Sequence, residues 1–445
     1  MRSKKRADNW VDGLRGIAAL MVVTYHVCSS FAAWLNSPAM NEQGTALLFQ
    51  YPFFRLVVSG RSALALFFII TGYVNSFRAI KETREGDMEG VLTNLSRNTI
   101  GRIGKLIVPT NAAILLSWLV CQLNGHRIAR VVESAWIQRV SCAPGPSFGA
   151  SVDKLLRNLT LFWHDGQSPY DGTYWTIPFF LQGSMAVYLT LLATTFARPR
   201  YTKGIIIFLY LYSWAGGQSL VETNVYAGMF LAELNADFGA HATSVMPRAI
   251  SALMVVFGLF LSSIPEDNAD WMPWSRGIVW AASMIVPAGG EINRYVVSAG
   301  TTVVMYGAFF SPDARRILSH PVMNFLGRIS FPVYLLHNTL IRTVLSWMVY
   351  RYDFMMQGLH PVDDNGNPRW LAQSGFVSFW TSILVFYVCL LYSAHLWTIH
   401  VDPRCETVVI WMSNRVLGHH KEHTPTKDGV LVGTPLAKWQ IEDKR

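Results

Sequence analysis

The chain has 445 residues, of which 51% are hydrophobic, 13% aromatic and only 15% charged, and its mean hydropathy is +0.27. A soluble domain carries nearer a quarter charged residues, so a disordered chain, a disulfide-built mini-protein and a nucleic-acid-binding domain with a solvated basic face are excluded. The net charge of +9 comes from 37 basic and 28 acidic residues, placed between apolar runs and in the tails, where it sets membrane orientation and favours anionic lipid.

An all-α, polytopic membrane bundle is the predicted fold class. Crossing roughly 30 Å of hydrocarbon at about 1.5 Å per residue takes about 20 apolar residues. Windows of about that length, some a little short, recur at 14–35, 57–78, 103–123, 176–197, 204–221, 249–264, 277–290, 295–310, 325–349 and 374–398. They predict about ten transmembrane helices, ten to eleven with a weaker window at 224–235. That window ends in Glu233 and Asn235 and reads as an interfacial or re-entrant piece.

Ten spans put both chain ends on one side. The opening MRSKKR, the connector 78–105 with Arg78, Lys81, Arg84, Arg97, Arg102 and Lys105, the stretch 198–203, Arg315 with Arg316, and the basic tail then face the cytosol. Loop 124–175 faces outward, although it carries Arg127, Arg130 and Arg139. The expected organisation is a cytosolic segment 1–13, one integral membrane domain 14–400 and a soluble, partly disordered tail 401–445. No cleavable signal peptide is evident. Of the five cysteines, Cys28, Cys121 and Cys389 lie in apolar segments and read as core residues. Neither a disulfide framework nor a metal site is expected.

Ionisable groups inside such windows are costly and usually mark function. In the first window Arg15 and His26 are eleven residues apart, close to three whole turns, so they share a helix face about 16 Å apart along the axis. Arg15 then lies near the cytosolic boundary and His26 near mid-bilayer. His337, in the window that begins near Phe325, falls at nearly the same depth if that span also starts at the cytosolic face. Two imidazoles at one depth on two helices are candidates to line one cavity, and a hydrogen-bonded packing role is the alternative for each. Arg102 and Lys105 are three residues apart on one helix face. With Arg15 they form either a cationic mouth suited to phosphate or plain positive-inside anchoring.

These residues resemble the acyltransferase-3 family of membrane acyltransferases, most closely its fungal-type members. Asp12-Gly-Leu-Arg15-Gly followed by His26 resembles the family's first-span signature, and 67–73, PhePheIleIleThrGlyTyr, its second-span motif. Arg102-x-x-Lys105 before Pro109 resembles its Arg-x-x-Arg connector, with Lys in the last position. TyrTrpThrIlePro at 174–178, with Gly183 and Ser184, resembles its central motif, and 327–337 its late motif ending in His. Together these cover some 320 residues of the chain.

The resemblance implies transfer of an acyl group, commonly acetyl, from a cytosolic thioester such as acetyl-CoA to a hydroxyl of a sugar, a lipid or a secondary metabolite. It implies His26 and His337 as catalytic residues. It implies Arg15, Arg102, Lys105, Trp175 and Tyr334 as donor- or substrate-binding residues. No metal or resident cofactor is implied, since acyl-CoA is a co-substrate. Lipid is the surrounding partner, nucleic acid is not one, and an endoplasmic-reticulum-type membrane is the expected location. The sequence departs from the fungal pattern at Phe180 and Gln182, where a Glu and then an Arg are usual. Glu222, Glu233 and Glu291 are the candidate substitute acids.

The chemistry is coherent, because a hydroxyl is a poor nucleophile that a neutral imidazole activates by accepting its proton. A transporter or exporter of a small anionic or acylated molecule is the competing reading, since buried His and helices broken by Gly and Pro serve it equally. A catalytically dead scaffold is the third. Asp165 and Asp171 are expected to be solvated in the outward loop, with contact to substrate as the alternative. Asn94 and Asn158 begin glycosylation sequons, and on this topology only Asn158 faces the glycosylating side.

Overall fold

A backbone in lipid must satisfy its own hydrogen bonds, which leaves helices as the natural element for this composition. The computed structural model describes residues 10–217, 221–363 and 365–417. In chain order its helices are α1 Trp10–Phe31, α2 Gly60–Glu85, α3 Met88–Gln122, α4 Ala135–Val140, α5 Phe148–Asp165, α6 Ile177–Thr194, α7 Pro199–Ala215, α8 Glu222–Phe238, α9 Ala242–Val245, α10 Arg248–Ser262, α11 Pro273–Ser283, α12 Ile292–Phe310, α13 Pro312–Leu318, α14 Pro321–Leu340, α15 Ser346–Gln357, α16 Phe376–His400 and α17 Asp402–Leu417. No strand occurs among the described residues.

Every apolar window of the sequence falls on a helix. Taken singly, five helices are long and apolar enough to cross a membrane, and a sixth counts if 222–245 and 248–262, bent by 107°, form one broken span. The expected ten to eleven spans are not all reached by that measure, because α7, α10 and α11 have only 17, 15 and 11 residues. The weak window at 224–235 is a central element and not a peripheral one. It forms α8, whose residues are mostly buried and which packs along α2.

Lipid tails are as apolar as Leu, so helices in a membrane associate through close packing at small residues. Two contacts show this. A Cβ on Gly72 would lie 2.0 Å from the Val225 carbonyl oxygen, and one on Gly228 would lie 1.9 Å from that of Ile69. The α1–α14 pair closes in the same way, with a Cβ on Gly16 2.6 Å from the backbone of Gly327, and one on Gly327 2.1 Å from the Asp12 carbonyl oxygen. Of the two Gly in the first-span signature, Gly16 therefore forms the seam with α14, and Gly13 meets the end of α13, where an added Cβ would lie 2.0 Å from the Leu318 carbonyl oxygen.

The basic connector 78–105 is helical nearly throughout. The α2 helix runs on to Glu85 and is capped by Gly86 at φ +81°, and Asp87 accepts from Gly90 N at 2.9 Å to start α3. The segment from Asp402, expected to begin a partly disordered tail, continues as α17 and packs against α3. The rest of that tail, 418–445, and the MRSKKR opening lie outside the described residues.

Candidate active site

The α1 and α14 helices run in the same direction. At one end the Arg15 guanidinium donates to the Gly327 carbonyl at 2.7 Å and to the Ser330 hydroxyl at 3.0 Å. It also lies 3.4 Å from the Asp12 carboxylate. His26 is ten residues past Gly16, and His337 is ten past Gly327. Each imidazole therefore rises about 15 Å from the shared glycine contact. The rings meet there, stacked with centroids 5.2 Å apart and planes at 21°.

His337 is completely buried, and its Nδ1 lies 2.7 Å from the Tyr334 carbonyl oxygen. A carbonyl only accepts, so Nδ1 carries the proton and the neutral ring keeps a lone pair on Nε2. That Nε2 has no partner among the described residues, nor has the buried Nδ1 of His26. On its other face His26 stacks on Trp136 of α4, at 5.1 Å and 28°. His26 lines a cavity of about 380 Å³, whose remaining wall is Trp136, Arg139, Val140, Ser141, Ser168, Pro169, Gly172, Thr173 and Trp175.

Nearly all of that wall comes from the loop expected to be solvated. A buried ion pair folds it inward. Asp171 and Arg342 are both fully buried, 3.1 Å apart. The Asp171 carboxylate also accepts from Asn338 Nδ2 at 2.7 Å, Thr173 Oγ1 at 2.7 Å and Thr173 N at 3.0 Å. The last bond caps the 3₁₀ turn Gly172–Thr176 that carries Trp175. The Arg342 guanidinium donates as well to the carbonyls of Tyr170 at 2.7 Å, Val140 at 2.9 Å and Asn338 at 3.2 Å, and to the Ser117 hydroxyl at 3.1 Å. A buried ion pair is tolerable only when its remaining donors and acceptors are satisfied in this way. Arg342 sits in the π-helical stretch Ile341–Leu345, where an extra residue per turn re-aims side chains.

Three comparisons bear on what this arrangement belongs to. The profile of the acyltransferase-3 family, described as an acyltransferase domain, matches residues 8–392. The chain belongs to the acyltransferase-3 family. It is 23% identical over 452 residues to the O-acetyltransferase PaAT-1 of Phomopsis amygdali, covering 94% of this chain and 86% of that protein. It is 23% identical over 409 residues to the acyltransferase clz18 of Cochliobolus lunatus, covering 78% and 86%. It is 23% identical over 389 residues to the acyltransferase R4 of a Phoma species, covering 75% and 82%. No solved structure matches. The protein is a multi-pass membrane acyltransferase, which favours the enzyme over the transporter reading.

Within this acyltransferase the residues singled out by sequence divide into two groups. His26, His337 and Trp175 meet at or beside the cavity. Arg15, Arg102 and Lys105 gather toward the opposite end of α1. Arg102 lies within electrostatic range of Arg15, and Lys105 within range of Arg102 and Glu406. Arg102 donates to the Ser184 hydroxyl at 3.1 Å, as does Asn75, which ties the Arg-x-x-Lys and central motifs together. Tyr334 is not part of the cavity lining. Its hydroxyl bonds the Thr176 hydroxyl at 2.6 Å and donates to the Thr173 carbonyl, so it braces the wall from behind.

The candidate substitute acids are engaged elsewhere. Phe180 fills its position with a ring 4.6 Å from that of Phe68. Gln182 donates to Glu222 at 3.0 Å, Glu233 pairs with Arg84, and Glu291 pairs with Arg61 and Arg294. The acid within electrostatic range of His337 is Asp171, whose expected solvation the fold overturns. Asp165 is solvated as expected. The sequon at Asn158 is closed, because its amide donates to the Gln167 carbonyl at 3.1 Å and accepts from Ser168 at 3.0 Å in a buried position. Trp136, Asn338 and Arg342 escaped the sequence reading, and Asp171 was read as a solvated loop residue. Asn338 and Arg342 lie one and five residues past His337, and that charge inside an apolar window was the available signal.

Proposed function

We propose that this acyltransferase moves an acyl group, acetyl in the simplest case, from acyl-CoA to a hydroxyl of a small molecule such as a secondary metabolite, with His26 as general base. The observation that carries the reading is the stacked His26–His337 pair with His26 open to the 380 Å³ cavity. His26 accepts the proton of the acceptor hydroxyl as its oxygen attacks the thioester carbonyl carbon. The carbon–sulfur bond breaks, and the departing thiolate takes the proton back from the imidazolium. Ester and free CoA thiol result.

His337 stacks on the imidazole that changes charge and orients it. Arg15, Arg102 and Lys105 bind the phosphates of the donor, Arg as a fork and Lys as a point charge. Trp175 contacts the acceptor from the cavity wall. The donor enters at the Arg15 end, which we infer to be cytosolic, and the enzyme resides in an endomembrane such as the endoplasmic reticulum.

The test supplies isotope-labelled acetyl-CoA and an extract of the host's small molecules to microsomes with wild type or His26→Ala at matched levels. A labelled ester made by wild type and reduced by about 10²-fold or more in the variant is expected. Equal labelling in both removes His26 from the role, and no label in either rejects the acetyl-CoA donor.

A further inference from the structure

Behind the cavity wall two thiols and an imidazole converge. Cys142 directly follows the lining residues Val140 and Ser141. Its Sγ lies 3.2 Å from Nδ1 of His126. One donor atom from each of Cys121, His126 and Cys142 lies within 4.8 Å of the other two. Cys121, in the last turn of α3, is fully buried, and His126 is 1% exposed. Both thiols are free. A further polar group stands beside them. Tyr170 is 2% exposed, its hydroxyl has no partner among the described residues, and it lies within electrostatic range of both sulfurs.

We propose that Cys121, His126 and Cys142 bind a zinc ion through two thiolates and one imidazole, with the Tyr170 hydroxyl as the neighbouring polar group. Ligand bonds of about 2.0–2.3 Å in tetrahedral geometry put donor atoms about 3.3–3.8 Å apart. The 3.2 Å between His126 and Cys142 is close to that separation. Binding releases the two thiol protons. Two thiolates and a divalent cation sum to zero charge, which limits the cost of burying the ion beside Arg342. A disulfide would use the two sulfurs alone and leave the aim of His126 and the unpaired Tyr170 hydroxyl without a reason. The ion would tie the end of α3 to segment 140–142 and so hold one wall of the cavity in place.

The experiment is metal analysis by mass spectrometry of the full-length protein, purified in detergent without chelators from zinc-supplemented cells. About one zinc per chain is expected in wild type, with a loss of about tenfold or more in Cys121→Ser and Cys142→Ser. Stripping the metal lowers the unfolding temperature of wild type and leaves that of the variants unchanged. Because a variant that misfolds would also lose metal, cobalt(II) exchange into wild type supplies a second readout, a thiolate-to-cobalt charge-transfer band. The proposal is overturned by wild type that holds no zinc and gives no such band, by equal zinc in wild type and variants, or by a Cys121–Cys142 disulfide mapped in the unreduced protein.

Discussion

At the residue scale, the site separates a proton-handling pair from the ion pair that holds it. His26 has an open cavity on one side and stacked rings on two others, so its imidazole is oriented by packing and not by a carboxylate. Acyl transfer should therefore fall on acidification as the imidazole takes up the proton it must later accept, and a pH series of wild-type turnover with labelled acetyl-CoA checks this. Asp171 and Arg342 carry the opposite expectation. They contact the cavity wall and not its contents, so their loss acts first on folding. Removing one partner of a fully buried pair strands the other charge and costs about 3–5 kcal/mol. Arg342→Ala is expected to lose most folded protein in a detergent thermal-unfolding assay, whereas His26→Ala, which strands no charge, keeps a transition near that of wild type. The reverse ranking would exchange their roles.

At the element scale, the depth match of the two imidazoles is a consequence of the glycine seam. Gly16 and Gly327 bring α1 and α14 to backbone contact, and equal ten-residue offsets then deliver His26 and His337 to one level. Gly327→Leu would drive a side chain into the Asp12 carbonyl, 2.1 Å from the first added atom. Overpacking of that kind costs about 1–3 kcal/mol or more. It should also move the rings out of register, lowering both unfolding temperature and turnover. Gly101→Ala is the matched control. Nothing lies within 4 Å of its added Cβ in α3, and removing a helical glycine gains about 0.5–1 kcal/mol. A destabilised Gly101→Ala together with an unaffected Gly327→Leu would contradict this account of the bundle.

At the scale of the whole molecule, the loops at one end are stitched to one another. Asp353, in the second half of α15, accepts from Arg369 at 2.6 and 2.7 Å and from the Ala372 amide at 2.8 Å. Leu371 N donates to the Val131 carbonyl at 2.8 Å, and Glu133 N donates back to Leu371 at 3.0 Å. This links the α15–α16 connection to the segment preceding the cavity wall. The hydrogen bonds from Arg369 hold the Asp353 carboxyl below the usual carboxylate range. A group with a depressed folded value stabilises above its unfolded value of about 3.9, and that contribution is lost as pH falls through the folded value. Wild type should thus lose unfolding temperature more steeply than Asp353→Asn between about pH 5 and pH 3. Parallel curves for the two proteins would remove the contribution assigned to this ion pair.

Composition and periodicity alone determined the class of the protein. Half the residues are apolar and helices fall on every apolar window, because a backbone in lipid must pair its own polar groups and an isolated apolar run of about 20 residues does so as a helix. The motifs around Arg15, His26 and His337 were legible for a related reason, since ionisable groups are rare in such windows and stand out. The tertiary structure alone decided what those residues meet. Loop 124–175 is polar enough to read as solvated, yet the Asp171–Arg342 pair draws it into the bundle and builds the cavity from it. No spacing rule links residues 171 apart, as these two are. Cys121, His126 and Cys142 are likewise unremarkable one by one. They become a cluster only because the end of α3 and the returning loop share one buried corner, and sequence patterns report local periodicity and not such long-range closure.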